Sequence, residues 1–117
     1  MANIDNRISV ILEAADDKKA FDIKLLDISD ITTIADFFVF ASGSNERQVI
    51  AIVDEIEDKM YQLGYEVINK EGYREGRWVL LDFGDIIVHV FHKEDREFYN
   101  LDRLWIDAKE IDIDNII

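Results

Sequence analysis

The stretch from Trp78 to Phe91 limits the fold more than any other part of the chain, because it carries two apolar six-residue runs separated by Gly84-Asp85. A two-residue Gly-containing link between β-type runs is a hairpin signal. Glycine takes positive φ without steric cost, and aspartate tolerates that region, so the chain reverses tightly there. Alternation places Trp78, Leu80 and Asp82 on one side of the first strand and Val79, Leu81 and Phe83 on the other. On the returning strand Ile86, Val88 and Val90 alternate with Ile87, His89 and Phe91. Both faces are mostly apolar, so both require cover. The face holding Trp78, Asp82 and His89 is the one that another molecule can cover.

The rest of the chain supplies the elements around this hairpin. Ile4, Ile8, Ile11, Leu12 and Ala15 form one helical stripe. Residues 20–28 alternate as a half-buried strand near an edge, and residues 36–42 form a continuous apolar run expected at the centre of a sheet. Val49, Ile52, Val53, Ile56, Met60 and Leu63 mark a second helix. Asn45 and Gln48 have capping-box spacing at its start, Ser44 is a competing cap, and Gly64 stands at its end. Residues 65–69 read as a third strand. A loop with three cations, Lys70, Arg74 and Arg77, leads into the hairpin, and a short helix carries Phe98, Tyr99, Leu101, Leu104 and Trp105. The expected architecture is α/β: a mixed five-stranded sheet, two main helices mainly on one face, and a short C-terminal helix. Residues 1–117 form a single domain, with 106–117 expected as a loose acidic tail.

Composition removes whole classes of function. The chain has no cysteine, which excludes disulfides and thiolate chemistry and accords with a cytoplasmic setting. It has no apolar run long enough to span a bilayer, and its first residues do not read as a secretory signal. Thirteen basic against 26 acidic residues give a formal charge of −13. Such a body is repelled by bare nucleic-acid phosphates and attracted to basic proteins.

Catalytic readings find little support. Asp82-Phe83-Gly84 matches the kinase magnesium motif, but the chain has no glycine-rich loop or catalytic loop, and a hairpin turn explains it fully. His89 and His92 fall on opposite faces of a strand, unsuited to one metal. Gly43-Ser44, between a strand and a helix, has the geometry for a phosphate. Nucleotidyltransferases use such a junction with a pair of metal-binding aspartates, for which residues 65–69 supply only Glu66. No catalytic residue, metal site or cofactor is assigned. A divergent nucleotidyltransferase-like nucleotide-binding protein using Ser44 and Asp82 stays as the alternative.

Three blocks in series carry a resemblance. They are Ala35-Asp36-Phe37-Phe38-Val39 with Ser42-Gly43-Ser44 and Arg47-Gln48-Val49; Glu71-Gly72 with Trp78 to Phe91; and Arg96-Glu97-Phe98-Tyr99 with Leu101, Leu104 and Trp105. In this order they resemble the ribosomal silencing factor (Iojap-like) family. Gln48 stands where that family usually has His, Gly76 where Ala is common, and Asp102 where Glu is usual. The resemblance implies a nucleotidyltransferase-like fold without the catalytic carboxylates. It also implies a cytoplasmic, non-catalytic translational repressor that binds protein L-fourteen of the large ribosomal subunit and sterically blocks joining of the small subunit. A homodimer of the free protein is implied as well. On this reading Trp78, Leu80, Asp82, Tyr99, Leu101 and Asp102 are the expected partner contacts, with apolar anchors flanked by two carboxylates.

Overall fold

In a computed structural model, residues 6–99, 103, 105–114 and 116 are described. The chain opens with α1 (Asn6–Asp17), β1 (Phe21–Asp27), β2 (Phe37–Gly43) and α2 (Glu46–Gln62). It continues with β3 (Asn69–Glu71), β4 (Trp78–Asp82), β5 (Ile86–His92), α3 (Lys93–Tyr99) and β6 (Lys109–Ile111). The six strands form one sheet in the order β3-β4-β5-β2-β1-β6. The β2–β5 pair is parallel and every other pair is antiparallel, so the sheet is mixed.

The Trp78–Phe91 stretch is the expected hairpin. Phe83 N–H donates to the Ile86 carbonyl at 2.9 Å across the turn. Gly84 takes φ +97° while Asp85 keeps negative φ, the pattern of a turn with glycine at its first central position. Val79, Leu81 and Phe83 are buried in the larger core together with Ile8, Ile11 and Leu12 of α1 and Val49, Ile52, Val53 and Ile56 of α2. The two main helices therefore lie on this face. Trp78 lies on the other face, packed against a smaller apolar cluster of Leu26, Ile28, Ala35, Phe38, Phe40 and Phe91.

Two expectations about strands need correction. The sheet has six strands rather than five, and the sixth comes from the segment read as a loose tail. Lys109–Ile111 pairs with Leu25–Asp27, and Ile111, Ile113 and Ile116 pack against the larger core. That pairing leaves β1 next to the edge strand, in keeping with the expectation of a strand near an edge. The third strand spans Asn69–Glu71 rather than 65–69, because its ladder is set by Leu80–Asp82 of β4. Ahead of it Val67 tucks against the core while Ile68 is 70% exposed, so the apolar residues there do not form a strand of their own.

The second helix begins as its capping residues dictate. Asn45 Oδ1 accepts from Gln48 N–H at 2.8 Å. The returning bond goes one residue further back than in a standard capping box: Gln48 Oε1 accepts from Ser44 N–H at 2.6 Å. Gln48 Nε2 also donates to the carbonyls of Lys18 (3.2 Å) and Lys19 (3.0 Å), beyond the end of α1. One side chain thus caps one helix and ties it to the exit of the other.

Candidate partner-binding face

Cross-strand register assembles the second sheet face. Trp78 stands opposite Phe91, Leu80 opposite His89, and Asp82 opposite Ile87. From the other side β2 sets Phe38 against Ile87 and Phe40 against His89. The Trp78 ring lies 5.3 Å from Phe91 at 30°, and Trp105 covers Phe38 edge-on at 4.7 Å. Trp78, Leu80 and Asp82 are all half-buried, so the row is wet along part of its surface. Asp82 Oδ1 accepts the Gly84 N–H at 2.8 Å and braces the turn. A carboxylate has further acceptor positions, so a cation brought by another molecule can still bind there.

His89 sits at the centre of the aromatic cluster with 6% of its surface exposed. Rings surround it at 4.9 Å (Phe38), 5.3 Å (Phe40), 6.0 Å (Phe91) and 6.1 Å (Trp78). Its Nδ1 accepts from Trp78 Nε1 at 3.2 Å, and among the described residues its buried Nε2 has no hydrogen-bond partner. Burial pushes the imidazole pKa down to about 4, so the ring is neutral at physiological pH. His92 is used differently: its Nδ1 accepts from Glu94 N–H at 3.1 Å and caps the short helix. The two imidazoles do not share a site.

Two arginines seat α3 against the sheet. Arg77 donates to Asp95 (2.5 Å), Glu46 (2.8 Å) and Glu94 (3.4 Å), joining the α2 and α3 N-termini to the strand entry. These carboxylates raise the guanidinium pKa, and Arg77 in turn holds the Glu46 carboxyl below its usual range. Arg96 is buried and donates to Ser42 Oγ at 2.8 Å and to the Asp22 carbonyl. Asp22 has φ +50°, and the β1–β2 register breaks between Phe21 and Lys24. This bulge sits where β1 offers its carbonyl to Arg96.

Of the six residues expected to contact a partner, Trp78, Leu80 and Asp82 share one strand face. Tyr99 is the last residue of α3, three positions after Arg96, and its side chain lies outside the described residues. Leu101 and Asp102 also lie outside the described residues. Sequence reasoning missed the roles of Arg96, Arg77 and Gln48. A cation three residues before Tyr99 was a weak signal for the first, and the acids around α3 for the second. For Gln48 the capping spacing revealed only half the role.

The Gly43-Ser44 junction has a specific internal use. Its Ser44 N–H, which a phosphate would take, is already bound by Gln48 Oε1. The Glu46 carboxylate adds negative charge in the first turn of α2. A Cβ on Gly43 would come within 3.1 Å of Val49, so this glycine permits close strand–helix packing. Asp82 braces the hairpin turn through one of its oxygens.

A mixed sheet with its main helices on one face, and on the other a buried aromatic cluster fringed by the half-buried Trp78, Leu80 and Asp82, defines an α/β protein. More narrowly, the chain belongs to the ribosomal silencing factor family. The family model described as "Ribosomal silencing factor during starvation" matches residues 1–117. The Ribosomal silencing factor RsfS of Bacillus subtilis is 46% identical over 107 residues, covering 92% of this chain and 91% of that protein. The RsfS of Halalkalibacterium halodurans is 43% identical over 110 residues, covering 94% of each. A crystal structure of a Chromobacterium violaceum protein superposes with a TM-score of 0.84 at 34% identity, covering 89% of this chain and 87% of that one.

Proposed function

We propose that this protein is a translational repressor that binds protein L-fourteen of the large ribosomal subunit and prevents the small subunit from joining. The family match along the whole chain carries this reading. The repressor acts in the cytoplasm by steric obstruction, which needs bulk at the joining surface and slow release, and no chemistry. The contacts are Trp78, Leu80 and Asp82 on the open sheet face, continued by Tyr99, Leu101 and Asp102 in the following segment. Aromatic and aliphatic anchors supply the apolar burial, and the two aspartates meet Arg or Lys on the basic partner. A net charge of −13 speeds encounter with a basic ribosomal protein and disfavours docking on the surrounding RNA. In the free state the same face pairs two copies into a homodimer.

Mixing separated ribosomal subunits in a sedimentation gradient tests this directly. The protein should lower the joined fraction and migrate with the large subunit; an unchanged joined fraction at saturating protein refutes obstruction. The nucleotidyltransferase-like alternative draws on the Gly43-Ser44 junction, but the Gln48 bond to Ser44 N–H disfavours it. Calorimetry with nucleotide and magnesium should give no binding heat. A heat lost in Ser44→Ala would restore that alternative.

A further inference from the structure

Nearly all buried polar groups in folded proteins are hydrogen-bonded, so an orphaned one asks for a reason. Among the described residues His89 Nε2 is such a group, enclosed by aromatic rings. The cause lies on the other side of the ring. Nδ1 accepts the Trp78 indole N–H at 3.2 Å, so in the neutral imidazole the proton must sit on Nε2. Burial favours that neutral form. A leucine in this place would fit the apolar surroundings and carry no orphaned donor of its own, while leaving the half-buried Trp78 indole N–H without this acceptor. What the imidazole supplies, and leucine would not, is an acceptor aimed at the half-buried indole.

We propose that His89 is a positioning residue for partner binding: its Nδ1 fixes the orientation of the Trp78 indole on the open sheet face, at a cost in stability. Phe91 supports the same ring at 5.3 Å, so packing sets its depth and the histidine sets its rotation. A pre-oriented aromatic anchor loses less freedom on docking, which strengthens the complex without adding a contact. This rests on the proposed role of Trp78 at the ribosome.

Three variants of the full chain test it: His89→Leu, which removes both ring nitrogens; His89→Asn, whose Oδ1 falls near the position of Nδ1; and Trp78→Ala. The measurements are unfolding stability, the indole N–H resonance of Trp78 (assigned with Trp78→Phe), and affinity for isolated large subunits. His89→Leu should be at least as stable as the parent, show a shifted indole resonance, and bind about tenfold more weakly, the loss of one such bond's worth of orientation. His89→Asn should return the resonance and most of the affinity. A role in folding alone would lower stability and leave affinity per folded molecule unchanged, which overturns the proposal. If His89→Leu binds as the parent does while Trp78→Ala does not, the positioning claim fails and the surface assignment survives. If Trp78→Ala also binds normally, the surface assignment fails. Should His89→Leu not fold, the parent's own resonance decides: an indole N–H that exchanges freely with solvent contradicts the bond to His89.

Discussion

Arg96 of α3 donates to the hydroxyl of Ser42 at the end of β2, 2.8 Å away, across 54 residues of sequence. The guanidinium also takes the Asp22 carbonyl at the β1 bulge and lies 5.8 Å from the Phe40 ring centroid. The end of the central strand, an irregularity in its neighbour and the helix leading to Tyr99 therefore share one buried cation. Removing it strands the buried Ser42 hydroxyl and takes from the Asp22 carbonyl, at an exposed residue, this donor. Arg96→Ala should cost about 3 kcal/mol in denaturant unfolding, and Ser42→Ala about 1 kcal/mol. Equal and negligible losses in the two variants would show that the network does not hold α3.

The buried imidazole gives stability a pH dependence with a definite sign. In the unfolded chain His89 titrates near the ordinary 6.5, and in the folded protein near 4. Between these values the unfolded state binds more protons, so stability falls as the solution is acidified from 6.5 towards 4 and this contribution levels off below. The loss is of the order of 3 kcal/mol. Urea unfolding at pH 7 and pH 4.5 should show a larger difference in the parent than in His89→Leu. Identical slopes in both proteins would contradict the burial of a neutral ring.

Gly72 and Gly84 both take positive φ, at +79° and +97°, but their surroundings differ. A Cβ on Gly84 would meet only Ile68 Cδ1 at 3.6 Å, whereas on Gly72 it would lie 2.0 Å from the backbone oxygen of Trp78. Gly84→Ala should therefore cost about 1 kcal/mol from backbone strain. Gly72→Ala should cost more and also weaken large-subunit binding, because the strand bearing Trp78 must move. Thermal unfolding orders the two, and a milder effect at Gly72 would count against the packing described.

The hairpin was readable in the sequence because its period of two, its β-branched content and its Gly-Asp link all agree. The second helix was equally readable from Asn45, Gln48 and Gly64. The sixth strand was misread for a physical reason: Asp-Ile alternation in residues 110–114 is itself a strand pattern, but its acidity and terminal position suggested a solvated tail. Pairing with β1 decided the matter, and such pairing is set by tertiary structure. In the candidate site, alternation separated Trp78, Leu80 and Asp82 from Val79, Leu81 and Phe83. It did not reveal that Trp78 and His89 bond across two strands. Nor did it reveal the burial of Arg96, since charged residues are usually exposed and its partners come from β1 and β2.

Trp78 is the residue on which the account converges. It rests on Phe91, bonds to His89, and stands half-exposed on the sheet face away from α1 and α2. The most direct measurement is the affinity of Trp78→Ala for purified large subunits, with its fold verified by circular dichroism and its concentration corrected for the folded fraction. An aromatic anchor at the centre of an interface is worth about 2 kcal/mol or more, so affinity should fall by at least roughly thirtyfold. A folded Trp78→Ala that sediments with the large subunit as tightly as the parent would contradict the assignment of this face to the ribosome.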